Sequence, residues 1–355
     1  MSTDEIVDVC AVGFGAIGAL YAFALDKTSR VRLTAVCRSN YNVLQDTGLD
    51  FESDRLGNHN AWKPYRVVCT VEEAADRTYA YVVCAFKAVP EITTTPALLA
   101  PLISKLASTP PDPNTPVTST FVLLQNGIGI EDDLLEALCA IHAPVRAIVV
   151  SGCCWVDTTA VDGGRKIVQH GNERLVLGYH RPTSAAATFS EDAAKKSLDE
   201  LVELYRAGGS AVEAAPDADI ARWRKVLWNA SFSTICTLAR AHVGDVLALE
   251  SSRQALKDIM AEVLTVARAS LTPSPAVEQE LSDAVIDRII ANENPKSVFR
   301  PSMLVDLDNG RPMEVEAIVG GVLRRARAKG VSTPKLDLLY AGLSVIQSNL
   351  IKGRA

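Results

Sequence analysis

The chain has 355 residues, which at roughly 150 residues per domain corresponds to about two domains. Hydrophobic residues make up 48% and charged residues 22%, so a disordered chain, a collagen-like repeat and a coiled coil are excluded. The net charge of −6 argues against a partner that is bound through its phosphate backbone. The eight cysteines form no CxxC pair and no zinc-spaced cluster, and most lie in apolar runs such as Val82-Val83-Cys84-Ala85. They read as small buried hydrophobes of a cytoplasmic enzyme that needs neither disulfides nor a metal.

The first element decides much of the reading. Asp8-Val9-Cys10-Ala11-Val12-Gly13-Phe14-Gly15-Ala16-Ile17-Gly18 is a GxGxxG closing a short apolar strand and opening a helix. In such a turn Gly13 permits the tight bend, Gly15 lets a pyrophosphate approach the backbone, and Gly18 lets the helix pack on the sheet. The uncharged run from Val9 to Leu25, 17 residues flanked by Asp8 and Asp26, falls short of the ~20 residues of a membrane span. It lacks the positive start of a signal peptide, and a buried strand followed by a buried helix accounts for it.

The second strand, 31–37, leads into Arg38 twenty residues after Gly18. An NAD site usually ends this strand in Asp or Glu. A guanidinium suits the 2′-phosphate of NADPH instead, and NADPH is the preferred reading over a merely solvent-exposed Arg38. Further strands are expected at 66–70, 80–86, 119–125 and 146–152, with shorter ones at 166–170 and 174–178. The proline-dense stretch 108–118 and the small polar stretch 181–192 read as surface loops. Strands alternating with helices indicate a mostly parallel sheet.

Beyond Asp217 the pattern turns helical, with helices expected at 217–240, 243–270, 275–293, 302–308, 312–329 and 335–352. The fold class is therefore an α/β Rossmann-type N-terminal domain, residues 1–215, followed by an all-helical C-terminal domain, residues 216–355. In the first of these helices Lys225, Asn229 and Ser233 fall at i, i+4 and i+8, with no charge between Lys225 and Arg240. A solvated face would carry more charge, so this polar stripe is expected to border a cleft.

These motifs together resemble the ketopantoate reductase (2-dehydropantoate 2-reductase) family over nearly the whole chain. The resemblance rests on Gly13-Phe14-Gly15-Ala16-Ile17-Gly18, on Ala85-Phe86-Lys87-Ala88 and on Leu124-Gln125-Asn126-Gly127-Ile128-Gly129. It continues in Trp223-Arg224-Lys225-Val226-Leu227-Trp228-Asn229, in Pro301-Ser302-Met303-Leu304-Val305-Asp306 and in Gly310-Arg311-Pro312-Met313-Glu314-Val315-Glu316. It implies that Lys87 and Asn126 lie beside cofactor and substrate, that Lys225 is the catalytic acid, and that Glu314, counted with it in the catalytic site, holds the substrate together with Asn229, Ser233 and Ser302. Ser233 stands where the family often has a second Asn.

The chemistry follows from the residue types. Reducing a 2-oxo acid needs a hydride on the carbonyl carbon and a proton on its oxygen, and an ammonium beside that oxygen stabilises the alkoxide and donates the proton. Lys87 is the rival for that role. Ser302 equally suits a helix cap, and Glu314, third from a Pro312 start, suits capping and the helix dipole. The expected partners are NADPH and a small 2-oxo acid, 2-dehydropantoate first, with a homodimer as the assembly left open and no nucleic acid or membrane. The alternatives are a relative acting on another 2-oxo or 2-hydroxy acid, and a non-catalytic NADPH sensor.

Overall fold

A computed structural model describes residues 6–110, 119–141, 147–181 and 190–353. Most of the proline-dense loop at 108–118 and of the polar loop at 181–192 therefore lies outside the described residues. The chain forms two compact units. The first comprises Met1–Lys87, Thr95–Gln125 and Glu131–Ala218; the second comprises Ala88–Thr94, Asn126–Ile130 and Asp219–Ala355. The second unit thus takes up two short connections from the N-terminal half as well as the helical half.

The first unit is a sheet of ten strands: β1 (Val7–Val12), β2 (Val31–Val36), β3 (Leu49–Ser53), β4 (His59–Trp62), β5 (Arg66–Val68), β6 (Tyr81–Cys84), β7 (Ser119–Leu123), β8 (Ala147–Val161), β9 (Lys166–Tyr179) and β10 (Val212–Ala214). Their order is β4-β3-β9-β8-β7-β6-β1-β2-β5, with β10 beside β9. Strands β8-β7-β6-β1-β2-β5 are parallel, and among the described residues antiparallel pairs occur only at β8–β9 and β3–β4. The parallel strands are almost continuously apolar because both faces are covered.

The helices of this unit are α1 (Ala16–Asp26), α2 (Tyr41–Asp46), α3 (Val71–Ala74), α4 (Thr95–Ser108), α5 (Asp132–Ala140) and α6 (Glu191–Ala207). Helix α1 is buried almost throughout, from Gly18 to Leu25, which is where the uncharged run goes. No helix among the described residues is long and apolar enough to cross a membrane.

Two expectations need correction here. The short strands at 166–170 and 174–178 are one strand, β9, pairing along nearly its whole length with a β8 that runs nine residues past the expected end at 152. The polar half of this hairpin hid it, because its outer residues are exposed and carry no apolar run. Strands β3, β4 and β10 went unread for a similar reason: β3 alternates buried and exposed residues over only five positions, and β4 is polar.

The second unit is helical: α7 (Ala218–Trp228), α8 (Thr234–Ala239), α9 (Val243–Ala248), α10 (Glu250–Ser270), α11 (Pro275–Glu280), α12 (Ala284–Asn292), α13 (Ser302–Asp308), α14 (Gly321–Lys329) and α15 (Pro334–Ile351). Its core gathers Trp223, Leu227, Phe232, Met260, Val263 and Val319, all nearly or fully buried. The expected helix 217–240 is interrupted by a π-helical turn at Asn229–Ser233, and a second π turn at Glu316–Gly320 precedes α14. The helix expected from Pro312 begins only at Val315. Residues 311–314 are outside any helix, and other parts of the unit bond to them.

Candidate active site

In the first unit the glycine turn follows β1 directly. Gly13 has φ +91°, and a side chain there would strike the Phe86 and Ala85 backbone at 2.4–2.9 Å, so only glycine fits. A Cβ on Gly18 would lie 1.9 Å from the Gly13 carbonyl oxygen, whereas one on Gly15 would meet nothing within 4 Å. The backbone at Gly15 therefore faces open space at the N-terminus of α1, the place where free helix N–H groups receive a phosphate. That geometry fits a dinucleotide pyrophosphate, with Phe14, Ala16 and Ile17 completing the turn.

Arg38 lies two residues beyond Val36, which pairs with Val12 at the end of β1. The Gly13 N–H donates to the Val36 carbonyl at 3.1 Å, so the turn and the Arg38 segment leave the sheet together. Arg38 is exposed. Next to it stands a residue that sequence reasoning missed: Asn40, 6% exposed, whose Nδ2 donates to the Phe14 carbonyl at 2.8 Å. Lys87, exposed, leaves β6 just beyond Phe86, beside the same glycine turn.

In the second unit Lys225 and Asn229 lie one α-helical turn apart, with Lys225 half-buried and Asn229 buried. The stripe does not continue regularly to Ser233. Asn229 and Ser233 open and close the π turn, whose i→i+5 bonding spends one residue more than an α turn. The hydroxyls of this segment settle its carbonyls: Ser231 donates to Leu227, Thr234 to Ala230 and Thr237 to Ser233, at 2.6–2.8 Å. Side-chain bonds of this kind to the carbonyl one turn back bend a helix locally, and here they accompany the π turn. π turns of this kind occur often at functional sites.

The π turn at Asn229–Ser233 lies against α13 and against the second π turn. The helix carrying Ser302 is thereby brought to the segment carrying Asn229 and Ser233. Ser302 is exposed and is the first residue of α13, with Pro301 in the cap position. The capping explanation for Ser302 is therefore set aside.

Glu314 is 6% exposed and sits just before the helical turn at Val315. Its side chain does not cap its own helix. Oε1 accepts the Ala88 backbone N–H at 3.0 Å and Oε2 accepts Asn126 Nδ2 at 3.0 Å. The non-helical stretch that delivers it is held by Gln347, which accepts from the Met313 N–H at 2.8 Å and donates to the Met313 carbonyl at 2.9 Å. Buried Asp306 accepts an ion pair from Arg311 at 3.4 Å and completes the fixation.

The Asn126 loop is anchored to the second π turn. The Ile128 N–H donates to the Ala317 carbonyl at 3.0 Å, and Arg222, only 2% exposed, donates to the Gly127 carbonyl at 3.3 Å. Ala88, Arg222 and Gln347 were not legible as site residues, because each acts through a backbone group or from a distant position in the chain. Asn126 and Glu314 were, and they meet.

Comparison with known proteins shows the family. The ketopantoate reductase PanE/ApbA family matches residues 9–182, and its C-terminal family matches residues 217–347. An uncharacterized protein of Saccharomyces cerevisiae, YDL144C, is 28% identical over 351 residues, covering 96% of this chain and 94% of its own. The crystal structure of 2-dehydropantoate 2-reductase from Methylococcus capsulatus superposes with a TM-score of 0.75 at 26% identity, covering 97% of this chain and 98% of that one. A ternary structure of D-mandelate dehydrogenase with NADH and anilino(oxo)acetate shares the fold at a TM-score of 0.74 and 18% identity, covering 97% and 99%. With both halves matched in order and the glycine turn, Lys225 helix and Glu314 segment all in place, the chain belongs to the ketopantoate reductase PanE/ApbA family of oxidoreductases.

Proposed function

We propose that this protein reduces a small 2-oxo acid with NADPH, and that 2-dehydropantoate, giving pantoate, is its substrate. The observation that carries the reading is the gathering, in one unit, of the Lys225–Asn229 turn, the Ser302 helix and the Glu314–Asn126 pair around two adjoining π turns. Bound in the glycine turn, the nicotinamide cofactor supplies the hydride.

The protein's part is positional and electrostatic. The Lys225 ammonium stabilises the developing alkoxide and gives the proton to the carbonyl oxygen. Asn229, Ser233 and Ser302 hold the acid, and Lys87 and Asn126 are assigned to binding of cofactor and substrate. Arg38 takes the 2′-phosphate, and no carboxylate in Val36-Cys37-Arg38-Ser39-Asn40 competes for the ribose. Glu314 acts from beside the substrate rather than as a helix cap.

One observation favours a second reading, a relative that takes a bulkier 2-oxo acid. Trp228, three residues after Lys225, stacks on Phe232 at 5.3 Å and packs against Phe299 at 6.1 Å, which provides apolar surface on the helix that carries the acid. Turnover of 2-dehydropantoate, its deoxy analogue 2-oxo-3,3-dimethylbutanoate and phenylglyoxylate, each with NADPH and with NADH, separates the readings. A clear preference for 2-dehydropantoate is expected. Preference for phenylglyoxylate would move the assignment to the second reading, and binding of NADPH with no turnover of any acid would indicate a sensor.

A further inference from the structure

We infer that Glu314 acts on the bound ligand through Asn126, by dictating which end of the Asn126 amide is presented to it. The inference rests on the proposed reductase reading and deepens it. Glu314 Oε1 accepts the Ala88 backbone N–H at 3.0 Å, a donor that cannot be turned round. Oε2 accepts from the Asn126 side chain at 3.0 Å. A carboxylate has only acceptors, so the amide nitrogen of Asn126 must face Glu314 and Oδ1 must point away from it.

Everything around the pair resists rearrangement. Glu314 is buried and its segment is bracketed by Gln347. Gly127, at φ +115°, and the Ile128–Ala317 bond fix the backbone that follows Asn126. Asn126 itself is half-buried, so part of its side chain stays open to a ligand. Asn126 therefore offers the ligand an acceptor, and the group that meets it must be a donor. Two donors qualify: a hydroxyl of the substrate or product, and the N–H of the nicotinamide carboxamide.

Three variants test the polarity. In Glu314→Gln the single remaining acceptor stays on the immovable Ala88 N–H, so the Gln nitrogen faces Asn126 and the Asn126 amide turns over, offering a donor to a donor. A loss of roughly 10- to 100-fold is expected, the cost of an unsatisfied polar contact. Asn126→Asp alone sets two carboxylates face to face and should lose at least as much. In Glu314→Gln/Asn126→Asp the Gln nitrogen donates to the Asp, whose other oxygen again offers an acceptor, so most of the loss should be recovered.

Both kcat/KM for the 2-oxo acid and Kd for NADPH by fluorescence titration are read. A loss in Kd assigns the donor to the carboxamide; a loss confined to the acid assigns it to the hydroxyl. A purely structural Glu314 would give additive losses, and a double variant no better than Glu314→Gln overturns the inference. So does a Glu314→Gln variant within twofold of wild type on both measures. If the wild type turns over no acid, the reductase reading fails while the cofactor titration still decides the polarity. If the variants do not fold, the Asn126 side-chain amide protons of the wild type decide it by NMR: slow exchange is expected, and rapid exchange overturns the inference.

Discussion

Asn40 Nδ2 donates to the Phe14 carbonyl at 2.8 Å, tying the end of β2 to the glycine turn from a buried position. Arg38 and Asn40, two residues apart, are thereby given separable tasks. If Arg38 takes the 2′-phosphate, Arg38→Ala should raise KM for NADPH far more than for NADH. A lost charge-assisted hydrogen bond costs about 1.5–3 kcal/mol, roughly 10- to 150-fold. Asn40→Ala loosens the turn itself, so KM should rise for both cofactors by similar factors. Equal effects of Arg38→Ala on the two cofactors would show that it does not read the phosphate.

Lys225 lies in the last turn of α7, immediately before the Asn229 π turn. As the general acid, its loss in Lys225→Ala should lower kcat by about 10²–10⁴-fold. NADPH affinity, measured by fluorescence titration, should stay within a few fold because the proposed task of Lys225 is the proton on the carbonyl oxygen, whereas the glycine turn and Arg38 are the proposed cofactor contacts. A variant that keeps most of its kcat with normal cofactor binding would pass the acid role to Lys87.

Much of this was legible in the residues, and the reasons differ by element. The glycine turn is legible because its pattern is compact, three glycines within six residues between a strand and a helix, although only Gly18 is required by an atom of the turn itself, while Gly13 is required by Ala85 and Phe86 beyond β6. Lys225 and Asn229 are legible because helical spacing is regular up to Trp228. The π turn beyond them is not, since the hydroxyl bonds of Ser231, Thr234 and Thr237 that sustain it look in sequence like any Ser/Thr in a helix. Glu314 was legible as a residue, while its partners were not. Ala88 and Asn126 lie 226 and 188 residues away, and Pro312 imitates a helix start that the Gln347 bracket prevents.

Gly127 illustrates how tightly the Asn126 loop is seated. Its φ is +115°, and an added Cβ would lie 2.4 Å from the Ala317 carbonyl oxygen. Gly127→Ala therefore meets both backbone strain and a clash with main chain, which together cost on the order of 1–3 kcal/mol or more. A lower denaturation midpoint is expected, accompanied by a fall in kcat/KM as Asn126 shifts. An unchanged midpoint and unchanged kinetics would mean that the loop does not hold Asn126 in place.

Glu293 gives a pH test of the second unit. Its carboxyl is pushed above the usual range, chiefly because it is partly buried, while the bond from Trp228 Nε1 at 2.7 Å opposes the shift. A carboxyl whose folded value is raised keeps its proton longer in the native state, so ionising it weighs on the folded protein. The sign follows. Below the unfolded value, about 4.3 for Glu, both states are protonated and nothing is lost. Stability then falls as pH climbs through that value to the raised folded one, and stays lower at neutral pH. Glu293→Gln keeps an oxygen for Trp228 and cannot ionise, so it lacks that fall. The unfolding free energy of Glu293→Gln minus that of wild type, from urea titrations followed by tryptophan fluorescence, should be larger at pH 7 than at pH 4. A difference that stays constant between the two pH values, or that shrinks toward pH 7, would mean that the Trp228 bond outweighs burial at this site.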